Sequence, residues 1–187
     1  MQTEALVLFV LGFVLLALVI NLIITFRLVA TVKYLRIESN NPEPLLPGTL
    51  IGEFEGQGLE DHSKISSTVI DSALVLLFLS AKCDKCKSKL PQIEGLIRSA
   101  NGSGVLLRLL TNEPTRRFKK FLSSSELIKS SLSVDDATYD ALNPQGASPY
   151  YLFVDDERVI QAAGFIGDEN WLSFCEQIQM TQVEPPQ

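Results

Sequence analysis

Metal-binding and basic residues are scarce in this 187-residue chain, and so are sulfur and imidazole: it has three cysteines and one histidine. A closed structural zinc site needs four nitrogen or sulfur ligands. The whole supply is Cys83, Cys86, Cys175 and His62. Cys175 shares a helical apolar face with Trp171, Phe174 and Ile178, which reads as core, and His62 lies in the polar run Glu60 to Lys64. No metal is therefore expected. Cations are also outnumbered, 16 lysines and arginines against 22 acids, for a net charge of -6 and a pI near 4.8. Nucleic-acid phosphates require a basic face, so nucleic acid is excluded as a partner. Internal repeats are absent, and no low-complexity tract stands out beyond the short tail Val183 to Gln187.

Charge is missing altogether from Ala5 to Phe26, where only Asn21 and Thr25 have polar side chains. At a rise of about 1.5 Å per residue such a helix spans a bilayer core. The stretch has neither the basic lead nor the small-residue cleavage site of a signal peptide, and it runs straight into Arg27. The expectation is an uncleaved transmembrane anchor helix over 5–26. Leu28 to Arg36 keeps helical apolar spacing, and Pro42, Pro44 and Pro47 then stop any helix. Residues 27–48 thus read as a juxtamembrane helix extension and a Pro-rich tether, 49–180 as the globular domain, and 181–187 as a disordered tail.

Within the domain, short apolar runs alternate with helical stretches. Leu50 to Glu55 is a weak strand candidate, Ala73 to Ser80 and Val105 to Leu110 are buried strands, and Cys83 to Ala100 is a helix. Thr115 to Ser123 reads as a helix entered through Pro114. Tyr150 to Val154 and Val159 to Ala163 flank an acidic turn as a hairpin, and Glu169 to Met180 is an amphipathic closing helix. Strands apolar at every position are covered on both faces. The fold class is α/β, a mixed central sheet flanked by helices, with the segment from Ser123 to Gly146 left unassigned.

The run Cys83-Asp84-Lys85-Cys86 sits between a buried strand and a helix, with Pro91 five residues beyond. Two thiols so spaced can close and reopen a small disulfide ring, and a helix N-terminus stabilises the first as thiolate. This is a redox signature.

With those residues in place, the chain resembles the thioredoxin superfamily: strand, loop, CxxC at a helix start, a kinking proline, and later Ser148-Pro149 before the strand Tyr150 to Val154. The anchor, the tether and the phrases around Cys83 and Ser148 resemble most the membrane-tethered branch. Within it the methylamine dehydrogenase accessory (maturation) thioredoxin-like family matches best. The resemblance implies a thioredoxin-like domain whose only redox centre is the disulfide Cys83–Cys86, with no other cofactor. It implies Cys83 as the attacking thiol, Cys86 as the resolving one, Pro149 as a cis-proline and the Ser148 backbone as a partner for an extended client peptide. Lys82 and Lys85, with Lys87 and Lys89, are expected to depress the Cys83 pKa, against Asp84.

Three departures stand out. Lys82 replaces a common aromatic, Leu77 stands where thioredoxin has a buried carboxylate, and Asp84-Lys85 is an unusual pair between the cysteines. The resolving proton must then pass to or from water or another group. Expected partners are protein dithiol or disulfide clients, a redox partner protein and the membrane through 5–26. Two other readings stay open: a metal-binding CxxC protein, although copper carriers of this fold favour CxxxC, and a non-catalytic interaction module. In the latter, Arg116 to Lys120 is a docking surface for an acidic partner or headgroups. Arg27, Lys33 and Arg36 after the span place the domain in the cytoplasm by the positive-inside rule. The resemblance implies the opposite side. The expectation is a single-pass protein of the cell membrane with its domain facing the periplasm or cell exterior, where structural disulfides persist, and the cytoplasmic face is the alternative.

Overall fold

A computed structural model describes residues 11–12, 15–27, 42–67, 72–100, 102–122 and 124–181. The chain divides into two compact units, Met1–Pro42 and Glu43–Gln187. In the first, 15–27 is helical with exposed apolar side chains, including Leu15, Leu18 and Phe26, and Thr25 Oγ1 donates to the Asn21 carbonyl at 2.9 Å. The expected span 5–26 falls partly outside the described residues. Among the described residues, no helix is long and apolar enough to cross a membrane. The expected helix extension over Leu28 to Arg36 also lies outside, and of the expected tail 181–187 only Thr181 is described, as the last residue of the closing helix.

The second unit begins at Glu43, earlier than the expected 49. The end of the tether is docked: Leu45 packs on the core, and Gly48, at φ +87, donates its N–H to the Ile160 carbonyl at 2.8 Å. A seven-stranded mixed sheet follows, comprising β1 (Glu55–Gly58), β2 (Lys64–Ser66), β3 (Ala73–Phe78), β4 (Val105–Thr111), β5 (Ser131–Ser133), β6 (Tyr150–Val154) and β7 (Ile160–Phe165). Its order is β2-β1-β5-β4-β3-β6-β7. The strand β3 runs parallel to β4 and antiparallel to β6, with Val75 opposite both Leu107 and Phe153.

Alternation along β3 divides the core. Val75 and Leu77 join the side chains of α1 (Asp84–Ala100), α2 (Thr115–Leu122), α3 (Ser125–Lys129) and α5 (Glu169–Thr181), among them Ile93, Phe118 and Trp171. Leu74, Leu76 and Phe78 join Leu142 of α4 (Asp136–Leu142) with Ile51 and Phe54. Fully burying side chains of this size contributes roughly 1.5–3 kcal/mol each, so both layers help fix the register of the central strands.

The first strand is displaced from its expected place at Leu50 to Glu55. Leu50 forms only an isolated bridge to Val159, while β1 itself is Glu-Gly-Gln-Gly. Its inward positions are glycines, and a Cβ at Gly56 would stand 3.1 Å from Leu132 Cβ. That close approach leaves no apolar signal in the sequence. The unassigned segment folds as α3, β5 and α4, held by local polar bonds: Ser131 Oγ donates to the Leu127 carbonyl at 2.6 Å and Asp135 caps α4 by accepting from Thr138 N–H at 2.7 Å.

Candidate functional site

Cys83 stands immediately before α1, at the C-terminal end of β3. Its carbonyl accepts the Lys87 N–H at 3.2 Å, and its sulfur accepts the Cys86 N–H, also at 3.2 Å. The sulfur therefore does what a serine or aspartate oxygen does at a helix N-cap, and it does so better as a thiolate. Cys83 is half-buried and Cys86 fully buried, and both are free thiols. Burial works to raise the Cys83 pKa, but hydrogen bonds from the Cys86 thiol and N–H, the Ser148 hydroxyl and the Lys85 N–H outweigh it, so the net shift is downward. For Cys86, burial comes first and its bond to the Cys83 sulfur adds to it, pushing that thiol up to about 11. The two sulfurs are thus set apart, Cys83 shifted toward the thiolate and Cys86 toward the thiol.

The opposite wall comes from the loop before β6. The Ser148–Pro149 peptide is cis, and the Ser148 carbonyl lies 3.8 Å from Cys83 Sγ. Buried Asn143 fixes the approach to this loop, since its Oδ1 accepts the Ala147 N–H at 3.0 Å and its Nδ2 donates to the Ala147 carbonyl at 2.9 Å. On the far side the Pro149 carbonyl accepts the Ile166 N–H at 3.1 Å, which places exposed Phe165 beside the loop.

Cys83, Cys86, Ser148 and Pro149 are thus brought together from two distant segments. Lys82 and Lys85 have exposed side chains; Lys82 donates its N–H to Ser80 Oγ at 3.2 Å, and Lys85 acts on Cys83 through its backbone. Lys89 leans the other way, because a Cβ at Gly167 would stand 2.9 Å from its Nζ. His62 is exposed in the β1–β2 turn at φ 59, and Cys175 is buried with Gln92 Nε2 3.7 Å from its sulfur. Among the described residues, no group of three or more histidine, cysteine or acidic side chains is arranged to hold a metal.

Sequence reasoning missed Glu113. Its Oε1 accepts Ser80 Oγ at 2.8 Å and the Ala81 N–H at 3.0 Å, so it secures the loop that delivers Cys83. Its Oε2 is buried, with Arg117 Nε 3.7 Å away. Tyr139 lies near both Glu113 and Cys86; burial raises its phenol, and those two groups add to the shift. A usable signal was present: Glu113 stands in the loop that leaves β4, which runs parallel to β3, so both loops open at the same edge of the sheet.

Comparison with solved structures decides the architecture. A putative protein disulfide isomerase from Bacteroides thetaiotaomicron superposes with a TM-score of 0.62 at 18% identity, covering 75% of this chain and 92% of the other. The fold is thioredoxin-like. The thioredoxin domain of a thiol-disulfide oxidoreductase from Bacteroides vulgatus gives 0.60 at 15% identity, covering 72% and 99%. A putative thiol:disulfide interchange protein DsbE from Chlorobium tepidum gives 0.59 at 16% identity, covering 75% and 99%. No family model matches the chain, and no curated protein does either. In this thioredoxin-like frame, the CxxC helix and the cis-proline loop face each other across β3 and β6.

Proposed function

We propose that the protein is a thiol–disulfide oxidoreductase acting on protein clients. One observation carries this reading: the Cys83 sulfur caps α1 while Cys86 is buried beneath it with its thiol pushed up to about 11. In the reducing direction, the Cys83 thiolate attacks a client disulfide, forming a mixed disulfide and releasing one client thiolate. Cys86 then gives up its proton, attacks Cys83 Sγ and expels the second client thiolate. The client gains two electrons, its two thiolates taking up the Cys86 proton and one from water, and the protein is left as the Cys83–Cys86 disulfide; the oxidising direction is the reverse. The structural neighbours described as an oxidoreductase and as a disulfide interchange protein agree with this chemistry.

The finer reading is a membrane-tethered exchanger working outside the cytoplasm in maturation of a disulfide-rich enzyme such as methylamine dehydrogenase. Its support is the uncharged run Ala5 to Phe26, the proline-rich connection and the resemblance in the segments around Cys83 and Ser148.

Two measurements test the two levels. Cys86→Ser should accumulate mixed disulfides with clients and Cys83→Ser none; equal trapping by both variants removes the assignment. Membrane-impermeant maleimide applied to intact cells should label Cys83 after mild reduction. Labelling only after permeabilisation would move the domain to the cytoplasm.

A further inference from the structure

Half of the 16 lysines and arginines fall in two short segments, Lys82–Lys89 and Thr115–Leu122, of a chain whose net charge is -6. These are the start of α1 and the whole of α2, and α2 has no acidic residue. Between them lies an open groove of about 400 Å³ lined by Ala81, Lys87, Arg117, Lys120 and Phe121. Three of the five lining residues are cationic, and none is acidic. Phe121 is half-buried against Phe118, at a ring-centroid distance of 5.6 Å, and gives the groove an apolar wall. At the groove's end, Ala81 precedes Cys83 by two residues, and its N–H is held by Glu113. The cations are not consumed by the fold: Lys87, Arg117 and Lys120 are exposed, and among the described residues Arg117 alone of the three forms an ion pair, with Glu113 at 3.7 Å.

We infer that this groove is the docking surface for an acidic segment of the client protein, lying next to the cysteine that Cys83 attacks. The inference rests on the exchange reading above and names its substrate class. Charge complementarity selects the occupant: a carboxylate-bearing stretch would be repelled by the acidic remainder of the domain and drawn only to this face. Location favours a protein over a lipid surface. A ligand held between Lys87 and Lys120 lies alongside the loop leading into Cys83, where a client disulfide has to arrive. An aromatic wall beside three cations suits a peptide carrying both acidic and apolar side chains.

The test uses the reduced full-length chain in neutral detergent with three disulfide probes. Two are cystine peptides of one length, flanked by aspartate and glutamate or by serine and glycine, and the third is uncharged hydroxyethyl disulfide. The acidic peptide should be oxidant to the protein about tenfold or more faster than the neutral one at low salt. The advantage should vanish near 0.5 M salt, where the Debye length falls to roughly a few ångströms, and in the variant Arg117→Gln/Lys120→Glu. Hydroxyethyl disulfide should react equally with both proteins, which also shows that the variant is folded. Equal rates for the two peptides, or a preference that survives in the variant, would overturn the inference. So would binding of anionic lipid vesicles, with no acidic-peptide preference, as the property lost in the variant. Fluorescence anisotropy of the labelled acidic peptide reads the groove independently of exchange. If hydroxyethyl disulfide fails to oxidise the pair while the peptide still binds, the exchange reading fails and the groove stands.

Discussion

The Cys83 sulfur lies 3.2 Å from the backbone nitrogen of Cys86 and accepts its hydrogen, so one cysteine caps the helix that carries the other. Each change of charge on Cys83 is therefore felt at the start of α1, and the two thiols titrate as a divided pair.

That division predicts an alkylation profile. With iodoacetamide, Cys83 should react with a midpoint below the ordinary thiol value, and Cys86 only as pH approaches 11. The sign for stability follows from the raised Cys86 value. Its contribution to the reduced form is fully present below the ordinary thiol value and is lost as pH climbs toward about 11. Denaturant melts of the reduced protein against Cys86→Ser across that window should diverge; parallel curves would contradict the assignment.

Ser148 is expected to tune Cys83, since its hydroxyl favours the thiolate at both sulfurs. In Ser148→Ala the alkylation midpoint of Cys83 should move upward while the plateau rate at high pH stays the same. A lower plateau with an unmoved midpoint would mean that the residue acts through shape alone.

Glu113 should matter for the loop beneath the site. Glu113→Ala leaves Ser80 Oγ and the Ala81 N–H without their acceptor, a cost of roughly 1–3 kcal/mol in urea unfolding. Glu113→Gln retains an acceptor oxygen and should cost less. Equal losses in the two variants would point to the charge, not to the hydrogen bonds.

Asp168 holds β6 and α5 together. It accepts the Tyr151 hydroxyl at 2.9 Å and the Trp171 N–H at 2.9 Å, and a Cβ at Gly164 would collide with its Oδ2. Burial is the largest cause raising the Tyr151 phenol, and the Asp168 carboxylate adds to it, so the pair is set with the proton on tyrosine. Asp168→Ala removes a helix cap and strands a buried hydroxyl, a loss of about 2–4 kcal/mol by thermal or urea melting. Gly164→Ala should be destabilised through the same contact.

The central strands were legible because their chemistry is uniform. Leu74 to Phe78 and Leu106 to Leu110 are apolar on nearly every residue, which only a strand covered on both faces tolerates. The cysteine pair and Ser148-Pro149 were legible because particular residue types stand at particular places. The edge strands were not, for opposite reasons: β1 packs through glycine, and β5 has a single leucine between two serines. Glu113 and Asn143 escaped because their roles depend on loops brought side by side by the sheet, and nothing local marks a carboxylate or an amide as a clamp. Lys82 and Lys85 show the converse. Their charge invites a role at the sulfur, yet Lys85 reaches Cys83 through a backbone N–H that any residue would supply.

The wall opposite Cys83 comes from a residue 65 positions later in the chain. During synthesis the two thiols therefore leave the ribosome long before the strand that frames them, and for that interval nothing from Ser148 acts on either sulfur. Reactivity of the mature kind arises only when β6 has aligned with β3. A burst of selective Cys83 labelling would therefore time the closure of the sheet in a growing chain, and ageing of the pair in an unfinished one would yield oxidised material before the site is complete.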